Sequence, residues 1–240
     1  MTKRKILTRS VRRRLVSLFS SVIIIVGLSI LGAWAHQLHI SSVDKVTIEQ
    51  AQPNTALAEL SKLPVKERET GDDYERSLFS SSWASWRDCN VRQKILNRDI
   101  QNAKLGANGC TVISGTLNDP YSGQTIELTT KSAVSSKVQI DHVVALSNAW
   151  QTGARYLTAD ERKQLANDDL ELIAVSSSAN QDKSDGDASE WLPDNQAFRC
   201  PYIARQIAVK LKYRLWVTPA EKSAMINVLQ DCPNEPLPAQ

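Results

Sequence analysis

The sequence has little of what marks a disordered or fibrous protein. Of its 240 residues only 9 are glycine and 9 are proline, while 42% are apolar. It also contains no internal repeat and no low-complexity run. This composition excludes collagen-like and intrinsically disordered chains, and it fits one globular domain with an appendage.

Charge is missing from one long segment near the N-terminus. Residues 1–14 contain seven Lys or Arg and no acidic residue, and Leu15 to Ala35 carry no charge at all. As a helix that segment would be about 31 Å long, enough to cross a bilayer, with the basic flank in the cytoplasm. We therefore predict that residues 1–35 are a signal peptide or a signal-anchor transmembrane helix. Ala33-Trp34-Ala35 fits a cleavage site and the length fits an anchor, so both alternatives stand.

The rest of the chain is then expected outside the cell, either released or held at the cell surface through residues 15–35. Without residues 1–35, Lys plus Arg falls from 29 to 22 against 26 Asp plus Glu, a net charge of about −4. A slightly acidic domain binds nucleic acid weakly and through local clusters of cations. Residues 36–73 are polar and contain Pro53 and Pro64, so they are predicted to be a tether, with the domain itself at residues 74–240.

Cysteine is also scarce, and no two cysteines have the C-x-x-C spacing of a zinc site. All four follow the apolar segment, and an even number of cysteines in an exported chain predicts two disulfides. Four cysteines allow three pairings, and we expect the two that close local loops, Cys89 with Cys110 and Cys200 with Cys232. Structural zinc is the rival interpretation, and the missing spacing disfavours it.

Histidine is rare as well. His36 and His39 directly follow the apolar segment, so His142 is the only histidine of the three in the globular part. It lies beside Asp141 in Val138–Val144, a β-branched run that predicts a buried strand. Burying polar side chains costs free energy unless they are hydrogen-bonded, so a buried Asp-His pair indicates a role.

A second strand-like run, Leu170–Val175, ends just before the cluster Ser176-Ser177-Ser178. Serine favours helix N-caps, so the cluster predicts a helix with Asn180 in its first turns. Lys183 shares the face of Asn180 at i, i+3. The predicted order is strand, long loop, strand, helix.

These residue types suit the hydrolysis of a phosphodiester. An imidazole with a pKa near 6.5 can take a proton from water at neutral pH, which makes His142 the candidate base. The Asp141 carboxylate and the Asn180 amide oxygen suit one divalent cation, Mg²⁺ first and Mn²⁺ second, and suit zinc poorly. Lys183 is a candidate for binding a phosphate oxygen. Adjacent strand residues point to opposite faces, so Asp141 and His142 can share a site only if the strand ends or bends there.

Patterns elsewhere predict a mixed α+β fold. Alternation predicts a β-hairpin of Cys110–Leu117 and Gln124–Leu128 beside the strand that carries His142. Apolar spacing and capping boxes predict helices at residues 56–63, 91–100, 146–150, 158–167, 202–215 and 218–229.

Several motifs together resemble one family. They are Asp141-His142-Val143-Val144, Asn180 with Lys183, Tyr74-Glu75-Arg76, Cys89-Asn90-Val91-Arg92, Gly115–Tyr121, Asn167-Asp168 and Glu190-Trp191-Leu192-Pro193. On these motifs, residues 63–232 are similar to the exported branch of HNH, or His-Me finger, nucleases that is related to the C-terminal domain of GmrSD-type restriction enzymes.

The resemblance implies a ββα-metal core with an added β-hairpin, flanking helices and disulfide bonds. In that family the residue before the base and an Asn or His of the helix bind the metal, which here are Asp141 and Asn180. The family also places an arginine just after the cysteine motif, so Arg92 is a candidate phosphate contact. Hydrolysis would leave a 5′-phosphate and a 3′-hydroxyl.

One position departs from the family pattern. The asparagine that usually stands nine residues before the helix ligand is Glu171 here, and an ionised carboxylate cannot donate a hydrogen bond. We expect Glu171 to orient His142 by accepting from its ring N–H, with Asn167 as the other candidate for that position.

The sequence therefore predicts an exported, metal-dependent HNH endonuclease that hydrolyses DNA with little sequence preference, with RNA as a second candidate substrate. The alternative is a non-catalytic, surface-tethered module on the same fold that binds nucleic acid or an envelope partner. No protein partner is evident from the sequence.

Overall fold

The computed structural model describes residues 51–238. The predicted signal peptide or anchor, residues 1–35, lies outside that range, as does the first part of the predicted tether. Within residues 51–238 no helix is both long and apolar enough to span a membrane.

Helices and short strands alternate along the described chain, which confirms the predicted α+β class. The helices are α1 (Ala56–Leu60), α2 (Val91–Asp99), α3 (Lys131–Lys137), α4 (Leu146–Gln151), α5 (Ala159–Leu165), α6 (Ser177–Lys183), α7 (Gln196–Lys212) and α8 (Pro219–Gln230), with 3₁₀ turns at Arg76–Leu78 and Ala154–Tyr156. The strands are β1 (Ser85–Trp86), β2 (Cys89–Asn90), β3 (Gln101–Leu105), β4 (Val112–Asn118), β5 (Thr125–Leu128), β6 (Val138–His142) and β7 (Leu172–Ser176).

Helix starts follow the capping residues that the sequence offers. Thr158 and Thr218 form the two predicted capping boxes and open α5 and α8. The Ser176 hydroxyl accepts from the Ala179 N–H and caps α6, as the serine cluster predicted. Helix α7 differs from the prediction because it begins at Gln196, six residues earlier than expected, and carries Pro201 inside it.

Strands β6 and β7 form a two-stranded antiparallel ribbon that carries His142. Their register runs from Val138 opposite Ser176 to His142 opposite Leu172, and α6 follows β7 directly. The predicted order of strand, long loop, strand and helix is therefore present. The face with His142 also presents apolar residues to a cluster with α2 and β4; we call it the His142 face, and its other members are Val138, Ile140, Leu172 and Ala174.

The opposite side of the ribbon, the Asp141 face, alternates with the first. Ile173 and Val175 of this face belong to the larger apolar cluster, which also contains buried residues of α7 and α8. Asp141 pairs with Ile173 and Gln139 with Val175 in the ribbon register. Two separate apolar clusters thus pack against the two faces of the ribbon.

The predicted hairpin is confirmed as β4 and β5, and the structure adds β3 as a third, unpredicted strand. Gly115 is required where β4 passes β3. Its φ is +151°, and a Cβ there would lie 2.4 Å from Ile100 Cγ2 and 2.8 Å from the Gln101 carbonyl oxygen.

The free edge of β7 is hydrogen-bonded by side chains. The Leu172 carbonyl accepts from Arg98 at 2.7 Å and from Arg205 at 2.9 Å. The Ala174 N–H donates to the Asp99 carboxylate at 2.8 Å. Helices α2 and α7 therefore supply the partners that a third strand would otherwise provide.

The free edge of β6 is also hydrogen-bonded by side chains. Arg92 of α2 donates to the Val138 carbonyl at 3.3 Å, and Lys183 of α6 donates to the His142 carbonyl at 2.9 Å. Both residues were predicted to bind phosphate, and both hydrogen-bond the ribbon that carries the candidate base.

The described part of the predicted tether belongs to the folded domain. Residues Ala56, Leu57 and Leu60 of α1 are at most 3% exposed within the larger apolar cluster. Val65 forms a β-bridge with Val217. Ala56–Leu60 presents an apolar side to α7 and α8, and this contact places the predicted helix of residues 56–63 in the core of the domain.

Both predicted disulfides are confirmed. Cys89 bonds to Cys110 and Cys200 to Cys232, with Cα atoms 5.8 Å and 6.4 Å apart. No free cysteine remains for a structural zinc site in the described residues.

Candidate active site

The candidate base lies at the end of its strand. β6 ends at His142, and Asp141 points to the other face as strand alternation requires. Both residues nevertheless line one cavity of about 430 Å³, together with Asn180 from α6. The structure therefore brings the predicted base and the two predicted metal ligands to one cavity.

The ring of His142 is fixed on one side by a backbone carbonyl. Its Nε2 lies 3.0 Å from the Ala166 carbonyl oxygen, at the end of α5. A carbonyl oxygen only accepts, so Nε2 carries the hydrogen and the lone pair of the neutral ring is on Nδ1. The Trp83 ring lies parallel to the imidazole, 4° between planes and 5.9 Å between centroids.

Burial keeps this imidazole neutral. His142 is 5% exposed. Burial lowers the pKa of His142 from 6.5 to about 3, and it outweighs the hydrogen bond to Ala166, which acts in the other direction. At neutral pH the ring is therefore uncharged, and adding a proton to it costs more free energy than in a solvent-exposed histidine.

Asp141 lies in a network of charged and polar groups. Its Oδ1 is 3.0 Å from the Lys183 ammonium, and its Oδ2 accepts from the Tyr121 hydroxyl. Burial raises the pKa of the Asp141 carboxyl, and the Lys183 ammonium and the Tyr121 hydroxyl oppose that rise. Lys183 bonds to Asp141 and to the carbonyl of His142 at once, so its cation holds the two residues together.

Asn180 lies four residues into α6, as predicted. Its amide N–H donates to the Gln139 side chain at 2.6 Å. The amide oxygen accepts no hydrogen bond from another residue in the described range, and it remains available as a ligand.

Glu171 and Gln206 both hydrogen-bond to the Val143–Val144 peptide unit, which follows the candidate base. The Val144 N–H donates to Glu171 Oε2 at 3.2 Å, and the Val143 carbonyl accepts from Gln206 Nε2 at 2.8 Å. Glu171 is fully buried, and its Oε1 has no hydrogen-bond partner among the described residues. Burial raises the pKa of Glu171 well above 4.5. The two side chains fix the chain where it leaves β6.

The ring N–H of His142 was expected to donate to Glu171 or Asn167, and it donates to Ala166 instead. Asn167 has a different set of partners. Its amide oxygen accepts from the Ala84 N–H at 2.9 Å, and its amide N–H donates to the Lys163 carbonyl. Asn167 thus anchors the segment that places Trp83 over the imidazole.

The two predicted phosphate contacts are Lys183 and Arg92. Unlike His142, Asp141 and Asn180, they do not line the larger cavity. Lys183 is 1% exposed and paired with Asp141. Arg92 donates to the ribbon edge, and burial lowers its pKa. Neither lines the 430 Å³ cavity or the second cavity beside it, which measures about 180 Å³ and is bounded by His142, Trp83, Ala166 and Asn167 among others.

The donor atoms of the larger cavity suit a hard cation. Oxygen donors line it from Asp141, Asn180, Gln139, Ser147 and Asp185. Each carboxylate oxygen has more than one lone-pair direction, so the hydrogen bonds that Asp141 accepts leave room for coordination. No cluster of three or more His, Cys, Asp or Glu suited to a metal occurs in residues 51–238. Carboxylate and amide oxygens are the kind of ligand that a hard divalent cation prefers.

Sequence reasoning missed several residues of the site. The Ala166 carbonyl carries no sequence signal, because every residue has one. Tyr121 and Arg76 were named only inside motifs of the resembling family, and those motifs were the one signal that pointed to them. No pattern in the sequence pointed to Trp83 as a residue of the site.

Comparison with known proteins gives two findings. Residues 87–228 match the family model of the C-terminal domain of GmrSD restriction endonucleases. A protein of Arthroderma benhamiae, described as an uncharacterized secreted protein, is 39% identical over 181 residues, which cover 75% of this chain and 85% of that protein. No solved structure matches.

Proposed function

Because the chain belongs to the family of the GmrSD restriction endonuclease C-terminal domain, we propose that it is an exported, metal-dependent HNH endonuclease. It hydrolyses phosphodiester bonds of DNA, and of RNA as a second substrate, with little sequence preference. The family supports a nuclease and a nucleic-acid substrate, and the site supports the finer assignment.

One observation carries the proposal. A neutral histidine, fixed through Nε2 by Ala166, reaches the same cavity as an aspartate and an asparagine amide. The ring nitrogen with the free lone pair is Nδ1. A base, oxygen ligands and space for a phosphate are the parts that phosphodiester hydrolysis needs.

The reaction follows from these groups. Nδ1 of His142 takes a proton from water, and the oxygen of that water attacks phosphorus in line with the leaving group. The bond from phosphorus to the 3′ oxygen breaks, and that oxygen takes a proton from solvent. The products are a 5′-phosphate and a 3′-hydroxyl. The Ala166 hydrogen bond stabilises the imidazolium that forms, because Nε2 stays a donor.

Asp141 and Asn180 would hold one divalent cation, Mg²⁺ or Mn²⁺, whose charge offsets the negative charge that develops on the phosphate. Lys183 and Tyr121 keep Asp141 in position for this role. The ribbon β6–β7 with α6 behind it is, in this proposal, a ββα-metal core.

Export is part of the proposal. A relative described as secreted and two disulfides support an extracellular location. Whether residues 15–35 anchor the chain in a membrane or are cleaved is tested by N-terminal sequencing of the mature protein.

Two observations favour a second candidate function. Both oxygens of Asp141 already accept hydrogen bonds, and Glu171 stands where the family has asparagine. These features fit a surface-tethered module that binds nucleic acid or an envelope partner without cutting.

Incubation with supercoiled plasmid separates the two functions. The nuclease nicks plasmid with Mg²⁺ or Mn²⁺, stops with EDTA, and loses activity in His142→Ala. Asn180→Ala weakens metal binding measured by calorimetry, whereas His142→Ala retains it. Folded protein that binds DNA with Mg²⁺ and leaves it intact would establish the binding module.

A further inference from the structure

Arg76 stands between the two cavities that meet at His142. It opens the 3₁₀ turn Arg76–Leu78, and it lines both the 430 Å³ cavity and the 180 Å³ cavity. His142 and Leu146 are the other residues common to both linings. In these two linings Arg76 is the only lysine or arginine, whereas Asp141 and Asp185 contribute carboxylates.

The Arg76 side chain has no structural partner that explains its position. Of the ten arginines within residues 51–238, eight donate hydrogen bonds, and Arg87 stacks on the Trp86 ring. Arg76 is exposed and is neither hydrogen-bonded nor ion-paired to another described residue. A guanidinium beside the candidate base therefore has all its donors free.

A polyanionic substrate needs positive charge at this entrance. The Lys183 ammonium is buried and ion-paired with Asp141. Arg92 is committed to the Val138 carbonyl. The site thus offers a phosphate one accessible cation among the described residues that line it.

We propose that Arg76 is a phosphate-binding residue of this site, gripping a backbone phosphate next to the one that is cut. The inference rests on the proposed function and adds a residue to it. A guanidinium presents paired N–H donors that match two phosphate oxygens, which a lysine does not. Arg76 belongs to one of the motifs that resemble the family, but the resemblance gives it no role, and the family model matches only from residue 87.

The test measures DNA binding without cleavage. A fluorescein-labelled DNA duplex is titrated with the full chain in EDTA at several salt concentrations, for unmodified protein, Arg76→Gln and Arg76→Lys. Arg87→Gln is the matched control, because it removes one exposed positive charge outside both cavities. Thermal unfolding of each variant checks the fold.

Arg76→Gln is expected to bind about tenfold more weakly, and its plot of log affinity against log salt is expected to be less steep by about 0.9, the value for one lost phosphate contact. Arg76→Lys keeps the salt slope and recovers part of the affinity. Arg87→Gln changes affinity by less than about twofold.

Equal weakening by Arg76→Gln and Arg87→Gln would overturn the assignment, as would an unmodified chain that does not bind the duplex. DNA binding and DNA cleavage are measured separately. DNA binding that depends on Arg76, without any cleavage, would support the phosphate contact and refute the nuclease. Cleavage with an unchanged KM in Arg76→Gln would support the nuclease and refute the phosphate contact.

Discussion

The two faces of the β6–β7 ribbon give neighbouring residues opposite surroundings. On the His142 face, apolar side chains and the Trp83 ring surround an imidazole whose one described hydrogen bond goes to a carbonyl. On the Asp141 face, an ammonium and a hydroxyl bind a carboxylate. Two adjacent strand residues therefore differ in environment. Burial keeps the His142 imidazole neutral, whereas the Asp141 carboxylate is paired with an ammonium and a hydroxyl.

The difference shows how a small fold sets two protonation states. Desolvation favours the neutral imidazole, which is the form a general base requires. A buried carboxylate is tolerated where an opposite charge and a hydroxyl compensate for lost water. The boundary between the faces is the backbone itself, and Lys183 bridges it through the His142 carbonyl.

Breaking the ion pair on the Asp141 face should give the largest change in the free energy of unfolding. Lys183→Met leaves the Asp141 carboxylate buried without its cation, so the free energy of unfolding falls by about 3–5 kcal/mol. Urea denaturation measures it. Lys62→Met is the control, because the pair of Lys62 with Glu59 is exposed and contributes less than about 1 kcal/mol. Equal stability of the Lys183 and Lys62 variants would contradict the comparison.

The opposite face should respond less strongly. His142→Leu introduces an apolar side chain that suits its surroundings but leaves the buried Ala166 carbonyl without its donor, so the free energy of unfolding falls by about 1–3 kcal/mol. Plasmid nicking should fall roughly a thousandfold, about 4 kcal/mol in activation free energy. Unfolding curves and nicking rates of one preparation test both parts. Substantial residual cutting would remove His142 from the role of base.

The two disulfides extend the comparison to the apolar clusters. Cys232 packs against the larger cluster, and Cys89 and Cys110 each lie two residues before a member of the other, Val91 and Val112. Cys89 and Cys110 are 21 positions apart, and Cys200 and Cys232 are 32 positions apart. Replacing either pair by serine should cost about 3–4 kcal/mol, with the longer loop giving slightly more. Thermal unfolding gives the values. Unchanged stability and activity after complete reduction would show that the bridges have no structural role.

The smallest expected effect concerns Glu171. Its pKa in the folded chain is above the ordinary 4.5, so between these values the folded state binds more protons than the unfolded state. Stability therefore falls as pH rises through that window. Glu171→Gln, which cannot ionise, should be more stable by about 1–2 kcal/mol at alkaline pH and nearly equal near pH 5. Denaturation at several pH values checks this, and a pH-independent difference would contradict it.

The sequence predicted what local patterns determine. Apolar runs located β6 and β7, threonine and serine located three helix starts, and loop size favoured the correct cysteine pairing. Each of these signals lies within a few residues or depends on one simple count. The ββα order around His142 followed from them.

Contacts between distant segments were not predictable in the same way. The i, i+3 spacing put Lys183 on the face of Asn180 but said nothing of burial, and Lys183 proved to be an internal counterion. Arg92 was expected at a phosphate and lies on a strand edge. The Ala166 acceptor depends on where α5 ends in space, which no spacing along the chain reports.

The hydrogen-bonded edges of the ribbon determine which kinds of inhibitor can reach this site. A peptide that binds by adding a strand needs free backbone donors and acceptors along an edge. Side chains of α2, α6 and α7 already occupy backbone groups on both edges of the ribbon. Strand-mimicking inhibitors would therefore find few free backbone donors and acceptors on the ribbon. Small anionic compounds could instead bind to the Arg76 guanidinium.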